Sequence, residues 1–349
     1  MSRDEMVYVA AQMYYLQDET MEAIARRLGV SRSTVSRLIQ RARDTGLVHI
    51  SLQPRTAGAD ALSRELQEAF GVRAHVVSVR EGTAEMQRLE QVAQVAGRLV
   101  SSWVEPGTVL GLAWGTTTSA VVGHLTPRRA PGSAVVQLNG AANPVTSGIP
   151  YAGSIMTAAA EAYDARVHHF PVPAFFDYAE TKAAMWRERS IQRVLAVQKR
   201  ADIALFGVGA LTGPLASHVY SAGYLDPAEL ADLRAGGVVG DVCTVLLRED
   251  GSYDDIALNE RATGPTPREL RRLGRRVCVV AGTAKVSPLL GALRTGAVTD
   301  LVVDETTARA AIERLHGHHH SARPGWNPFD DAAVRLRSRD RGATPPEDA

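Results

Sequence analysis

Apolar residues change their spacing along the chain. Near the start they recur at three- and four-residue intervals, first as Met6, Val9, Ala10, Met13 and Tyr14, later as Val35, Leu38, Ile39 and Ala42, which is the buried stripe of an amphipathic helix. This spacing predicts a first helix ending near Gln17, a short second helix over Met21–Leu28 and a third opening at Ser31. Thr45-Gly46 stops the third helix, and residues 47–52 alternate like a short strand. From residue 59 the pattern changes to short apolar runs separated by amphipathic stretches. Strands are expected at 74–79, 108–113, 133–138, 167–170, 203–206, 242–247, 277–280 and 301–303. Helices are expected at 61–70, 83–103, 116–124, 153–163, 178–198, 227–234, 267–273, 284–294 and 306–315. Such alternation predicts an α/β domain with one open, doubly wound, mostly parallel sheet covered on both faces. The chain then divides into a small all-α domain at 1–53, a linker at 54–58, the α/β domain at 59–316 and a flexible tail at 317–349.

Within the small domain, Thr20 to Asp44 has the offsets of a helix-turn-helix. Ala25 is small where two helices cross, Gly29 can take the positive φ of the turn, and Val30 plugs the angle between the helices. Ser31 caps the next helix by accepting from a backbone amide near Thr34. With the apolar stripe buried, Arg32, Ser33, Ser36, Arg37, Gln40 and Arg41 remain outside. These side chains, together with Ser31 and Thr34 at the helix start, are the candidate contacts to double-stranded DNA, since they suit base edges and phosphates in a major groove. The short strand at 47–52 is where a wing beside the DNA backbone belongs.

Charge changes the picture only when taken locally. The 349-residue chain carries a formal net charge of +1, yet six arginines lie between Arg26 and Arg43 with no acidic residue among them. A cluster of this kind neutralises phosphates, and binding through it weakens with salt. The plainer reading is a solvated basic helix, but a charge run alone does not produce the Gly-Val-Ser turn signature.

At 45% apolar and 22% charged residues the composition is that of a globular chain with a large core. No uninterrupted apolar run reaches about 18 residues, so no membrane span is expected, and Asp4 and Glu5 stand where a signal peptide would be basic. A cytoplasmic location is expected. Cys243 and Cys278 lie in apolar, strand-like runs and are expected to be buried, reduced thiols. Lysine survives only at Lys182, Lys199 and Lys285.

In an open α/β sheet, ligands bind beyond the carboxyl ends of the strands. The clearest loop there is Trp114-Gly115-Thr116-Thr117-Thr118, where glycine admits close backbone approach and the threonines begin a helix. Its amides and hydroxyls suit a phosphate; a threonine-capped turn is the plain alternative. Phe206-Gly207-Val208-Gly209 follows another strand and strips side chains away. Asp241, in Gly240-Asp241, is placed either to accept from sugar hydroxyls or to cap a turn. Gly282-Thr283-Ala284-Lys285 sets a lysine at the start of a helix, where the dipole opposes it and an anion would offset it. Gln137 and Asn139, at the end of the strand over 133–138, add candidate polar contacts.

With these residues in order, the chain resembles the SorC family of sugar-responsive transcriptional regulators, also grouped as SorC/DeoR. The resemblance covers the helix-turn-helix and nearly all of residues 59–315. It rests on Trp114-Gly115-Thr116-Thr117, Phe206-Gly207-Val208-Gly209, Gly240-Asp241, Asn259-Glu260-Arg261 and Gly282-Thr283-Ala284-Lys285 in that order. It implies an effector domain with the fold of sugar-phosphate isomerases and glucosamine-phosphate deaminases. It also implies a bound phosphorylated sugar or polyol, with Gly115, Thr116, Thr117 and Lys285 on the phosphate and Asp241 on the sugar, and a homodimer or homotetramer on palindromic operators. The run QLNGAAN from Gln137 to Asn143 departs from several relatives and leaves the sugar open.

An enzyme is the contrasting reading. The deaminases carry an acid and a histidine just after the glycine pair, whereas this chain has Ala210-Leu211-Thr212-Gly213-Pro214, with His218 the nearest candidate. That substitution points away from proton transfer and towards a regulator without a cofactor. A sensor of a phosphorylated signalling molecule is the other alternative. His316, His318, His319 and His320 invite a metal reading, but their place at the start of the tail favours adventitious affinity. Asp304-Glu305 ends the last strand and is expected first as a helix cap and second as a ligand contact.

Overall fold

In the larger unit, short runs of valine, leucine and alanine form strands that are buried on both faces, as a parallel sheet between helical layers requires. The computed structural model describes residues 3–17, 19–48, 57–144, 148–213 and 217–321. The chain separates into two units, Met1–Arg55 and Thr56–Ala349.

The first unit holds α1 (Arg3–Leu16), α2 (Met21–Leu28) and α3 (Arg32–Asp44). Thr20 caps α2, Gly29 ends it at φ 66°, and Ser31 caps α3 by accepting from the Thr34 amide at 3.2 Å. Val35, Leu38, Ile39 and Ala42 are buried with Ile24 from α2. From α1 the buried residues are Val7, Ala10 and Ala11, with Met6, Met13 and Tyr14 packed half-buried against them. Most of the strand expected over 47–52 lies outside the described residues.

Among the described residues the second unit has ten strands: β1 (Arg73–Val77), β2 (Val109–Leu112), β3 (Ala134–Gln137), β4 (Arg166–His168), β5 (Ile203–Gly207), β6 (Gly209–Ala210), β7 (Val238–Val242), β8 (Val245–Arg248), β9 (Arg275–Val280) and β10 (Asp300–Asp304). Seven form an all-parallel sheet in the order β1-β10-β9-β5-β2-β3-β4. Its helices are α4 (Ala57–Phe70), α5 (Glu85–Trp103), α6 (Thr116–Val122), α7 (Ile149–Tyr163), α8 (Ala179–Met185), α9 (Arg189–Gln198), α10 (His218–Ser221), α11 (Pro227–Ala235), α12 (Pro267–Leu270), α13 (Val286–Arg294) and α14 (Glu305–Ser321).

Alternate strand residues feed two cores, as a period of two dictates. Ile203, Leu205, Val277, Val279 and Val302 pack with α5 and α7, while Ala204, Phe206, Cys278, Val280, Leu301 and Val303 pack with α4, α13 and α14. The sheet is therefore doubly wound. After β4 at one edge the chain returns to place β5 beside β2, so the direction of winding reverses between those strands. A switch point of this kind opens a crevice at the carboxyl ends.

Three expectations are corrected. Residues 242–247 are not one strand of the main sheet. They lie in a hairpin, β7 and β8, which pairs antiparallel and joins β6 in a separate three-stranded sheet. The chain reverses at Cys243 and Thr244, with φ of 52° and 69°. Positive φ at both central positions is the hairpin geometry usually signalled by Asn-Gly, and Cys-Thr carries no such signal. The helix expected over 178–198 breaks at Trp186, whose ring stands edge-on to Phe170 and Phe176 at 5.6 and 6.0 Å. Finally, α14 runs through Gly317 to Ser321, past the expected start of the tail; the residues after 321 lie outside the described ones. No helix among the described residues is long and apolar enough to cross a membrane.

Candidate functional site

In the first unit, the face of α3 opposite its buried stripe carries Arg32, Ser33, Ser36, Arg37, Gln40 and Arg41, all exposed. Ser31 is occupied as the cap and also lies 2.8 Å from the Ser33 hydroxyl, while Thr34 is half-buried. The six arginines between Arg26 and Arg43 have no acidic residue among them in sequence, yet three of them meet carboxylates from outside that stretch. Arg27 pairs with Glu19, Arg32 with Glu22 at 2.8 Å and Arg41 with Asp4 at 3.5 Å. Arg26, Arg37 and Arg43 are exposed. These are surface pairs, worth well under about 1 kcal/mol, and phosphate can displace them.

In the second unit, the loops after β2, β5 and β9 meet beyond three adjacent strands. They line a cavity with Gly115, Thr116, Thr117, Asn139, Gly207, Gly209, Asp241 and Lys285 in its wall. All eight are among the contacts expected from the sequence. The ammonium of Lys285 lies 3.4 Å from the Thr117 hydroxyl, a contact spanning 168 residues. Burial lowers the Lys285 pKa below 10.5, while Cys278, Asp241 and Glu85 pull it back up. Gly115 takes φ 155°, a Cβ there would meet nothing within 4 Å, and Thr116 and Thr117 follow it as the first residues of α6. The first amides of a helix have no intrahelical partner. Gly207 and Gly209 answer to close approach. A Cβ on Gly207 would lie 3.3 Å from the Thr117 Cβ, and one on Gly209 would lie 1.8 Å from Asp241 Oδ1.

Asp241 is buried, and its two oxygens accept from the Tyr220 hydroxyl at 2.8 Å and the Thr244 amide at 2.9 Å. Burial raises its pKa against the opposing pull of Tyr220, Thr244 and Lys285. The hairpin turn that sequence analysis read as strand therefore holds this carboxylate in place. Asn139 is also buried, and its Oδ1 has no hydrogen-bond partner among the described residues.

Gln137 is placed elsewhere. Its Nε2 donates to the Asn139 carbonyl at 2.8 Å and its Oε1 accepts from the Phe170 amide at 3.2 Å, so it braces the loop that carries Asn139 and does not line the cavity. Asp304 caps α14 through the Thr307 amide and also accepts from the Gly282 amide and Arg88, which holds the Lys285 loop. Asn259 and Arg261 tie loops together, to Leu246 and Tyr253 and to Glu229, Phe176 and Asp177. Glu85 and Ser217 in the lining and Tyr220 behind Asp241 carry no signal in the sequence. No periodicity marks them, because their partners are distant in the chain. His218 is in the wall, its ring 5.1 Å from that of Tyr151, and Trp114 stacks on Tyr224 at 5.3 Å while donating to the Gly140 carbonyl at 2.7 Å. Cys243 and Cys278 are buried free thiols, and burial pushes Cys278 up to about 12.

Comparison with known proteins agrees with both units. The family described as a sugar-binding domain matches residues 55–313, and sigma-70 region 4 matches residues 12–45. The deoxyribonucleoside regulator of Bacillus subtilis is 31% identical over 315 residues, covering 90% of this chain and 99% of that protein. A domain of a possible sugar-binding transcriptional regulator from Arthrobacter aurescens TC1 superimposes with a TM-score of 0.69 at 49% identity, covering 75% of this chain and all (100%) of that one. The full-length sorbitol operon regulator SorC from Klebsiella pneumoniae gives a TM-score of 0.72 at 27% identity, covering 89% and 99% of the two chains. A helix-turn-helix joined to an α/β sugar-binding domain defines a DNA-binding transcriptional regulator of the ligand-responsive class. The chain belongs to the SorC family of these regulators.

Proposed function

We propose that this protein controls transcription from an operator, with its DNA affinity set by a phosphorylated sugar or polyol in the second unit. The observation that carries this reading is the approach of the Lys285 ammonium to the Thr117 hydroxyl beside the start of α6 at Gly115 and Thr116. One cation and several convergent donors suit a phosphate. On this reading Gly115, Thr116, Thr117 and Lys285 hold the phosphate, Asp241 and Asn139 accept from sugar hydroxyls, and Gly207 and Gly209 keep the wall thin. Relatives named for deoxyribonucleosides, sorbitol and erythritol support a hydroxyl-bearing effector. On the DNA side, Arg32, Ser33, Ser36, Arg37, Gln40 and Arg41 read the groove and its phosphates. The protein acts as a cytoplasmic homodimer or homotetramer on paired half-sites. Ligand and operator affinities are then coupled by about 1–3 kcal/mol.

The test pairs two substitutions. Arg37→Ala is expected to abolish operator binding in a gel-shift assay while leaving thermal stabilisation by phosphorylated sugars intact, and Lys285→Ala is expected to do the reverse. Equal damage to both properties by both changes would sink the two-module reading.

An isomerase or deaminase is the second reading, favoured by one observation: Glu85, His218 and Asp241 share the wall of one cavity. We set it second because both Asp241 oxygens already accept protein hydrogen bonds and because the chain carries a DNA-reading unit. Turnover of hexosamine or pentose phosphates that vanished in His218→Ala would reverse that order.

A further inference from the structure

The cavity's charges and hydrogen-bonding groups are unequally distributed, and this constrains the occupant beyond the presence of a phosphate. Among the described residues that line it, Lys285 is the single lysine or arginine, whereas Glu85 and Asp241 both contribute carboxylates. One ammonium can meet one phosphate. A second phosphate or a carboxylate would enter with no cation of its own and would face two like charges where water is largely excluded.

The acceptors point the same way. Asn139 is buried with an Oδ1 that has no partner among the described residues, and an acceptor left in that state costs stability until a donor reaches it. Each Asp241 oxygen has one donor already and retains a lone pair, and Glu85 is half-buried at the same wall. These groups call for donors. Hydroxyls supply them, whereas carboxylate and phosphate oxygens set acceptor against acceptor.

We infer that the effector is a monophosphate whose remaining body is uncharged and rich in hydroxyls, and that the cavity rejects sugar bisphosphates and phosphorylated sugar acids. The inference rests on the phosphate reading given above. Asn139 and Glu85 are then the residues that set specificity, while the Gly115–Thr117 loop and Lys285 set the general affinity for phosphate.

Matched pairs test it by calorimetry on the full-length protein, with inorganic phosphate as a reference. Fructose 6-phosphate is compared with fructose 1,6-bisphosphate, and sorbitol 6-phosphate with 6-phosphogluconate. The monophosphate of each pair is expected to bind at least about tenfold more tightly, the effect of one uncompensated buried charge or acceptor. Glu85→Gln is expected to narrow the gap for the acidic partners. Asn139→Leu is expected to weaken both neutral monophosphates while leaving the response to inorganic phosphate in place. A bisphosphate or sugar acid that binds as tightly as its matched monophosphate overturns the inference and leaves the phosphate reading standing. If no phosphorylated compound binds, inorganic phosphate included, the phosphate reading falls and takes the inference with it.

Discussion

The Tyr220 phenol donates to Oδ1 of Asp241 at 2.8 Å, and both side chains are closed off from solvent. Tyr220→Phe removes one of the two protein donors to a buried carboxylate. The expected loss is about 1–3 kcal/mol of stability, read by chemical denaturation. A pH signature accompanies it. Burial holds the Asp241 pKa above 3.8 in the folded protein, so folding takes up a proton there. That contribution is complete below pH 3.8 and is lost as pH rises through the folded value. Losing the phenol raises the folded value further, so the decline in melting temperature with rising pH should extend to higher pH in the variant. Identical pH profiles for the two proteins would contradict this account.

Lys285 gives a prediction at alkaline pH. Burial lowers its pKa below 10.5, so the free protein loses this charge earlier than an exposed lysine would. A phosphate ligand favours the charged form, and binding should therefore take up protons as pH approaches the free-protein value. Affinity for the ligand is expected to fall as pH rises through that value. Lys285→Arg, which stays charged, should flatten the dependence. Calorimetry in buffers of different ionisation enthalpy measures the proton uptake directly.

Two glycines in the same wall should respond differently to alanine. At Gly209 the added methyl would sit 1.8 Å from Asp241 Oδ1, so the carboxylate must move. Gly209→Ala is expected to cost about 1–3 kcal/mol as an overpacked site and to abolish ligand stabilisation. At Gly115 the methyl meets nothing within 4 Å, but φ is 155°. Gly115→Ala therefore costs about 1–3 kcal/mol of backbone strain without a clash, and crystals of it should show a rotated loop over an undisturbed Asp241.

The DNA-reading unit is open to a simple capping test. Ser31 accepts from the Thr34 amide at the start of α3. Ser31→Ala is expected to destabilise this unit by about 1 kcal/mol and to weaken operator binding, whereas Ser31→Asp keeps the cap. On the DNA reading proposed above, Ser31→Asp also sets a negative charge against the phosphates, so it should restore stability without restoring affinity. Circular dichroism melts and gel shifts separate the two effects.

What was legible in the chain was local. The caps at Thr20 and Ser31, the left-handed Gly29 and the stripe of Val35, Leu38, Ile39 and Ala42 lie within one or two helical turns of one another, so residue spacing alone determines them. The glycine and threonine loops after apolar strands were equally readable, because a strand must end before a loop can touch a ligand. Tertiary structure decided everything that depends on pairing between distant segments. Cys243-Thr244 reads as strand in a run of apolar residues, and only the pairing of Val242 with Val245 makes it a turn. Gln137 and Asn139 stand two residues apart at one strand end, yet one braces a loop while the other lines the cavity and keeps an oxygen without a partner among the described residues. Glu85 and Tyr220 join the site through the order of strands in the sheet, which no local pattern encodes. Spacing along a chain specifies which face a residue occupies, but which groups come to share one cavity follows from how the sheet is wound.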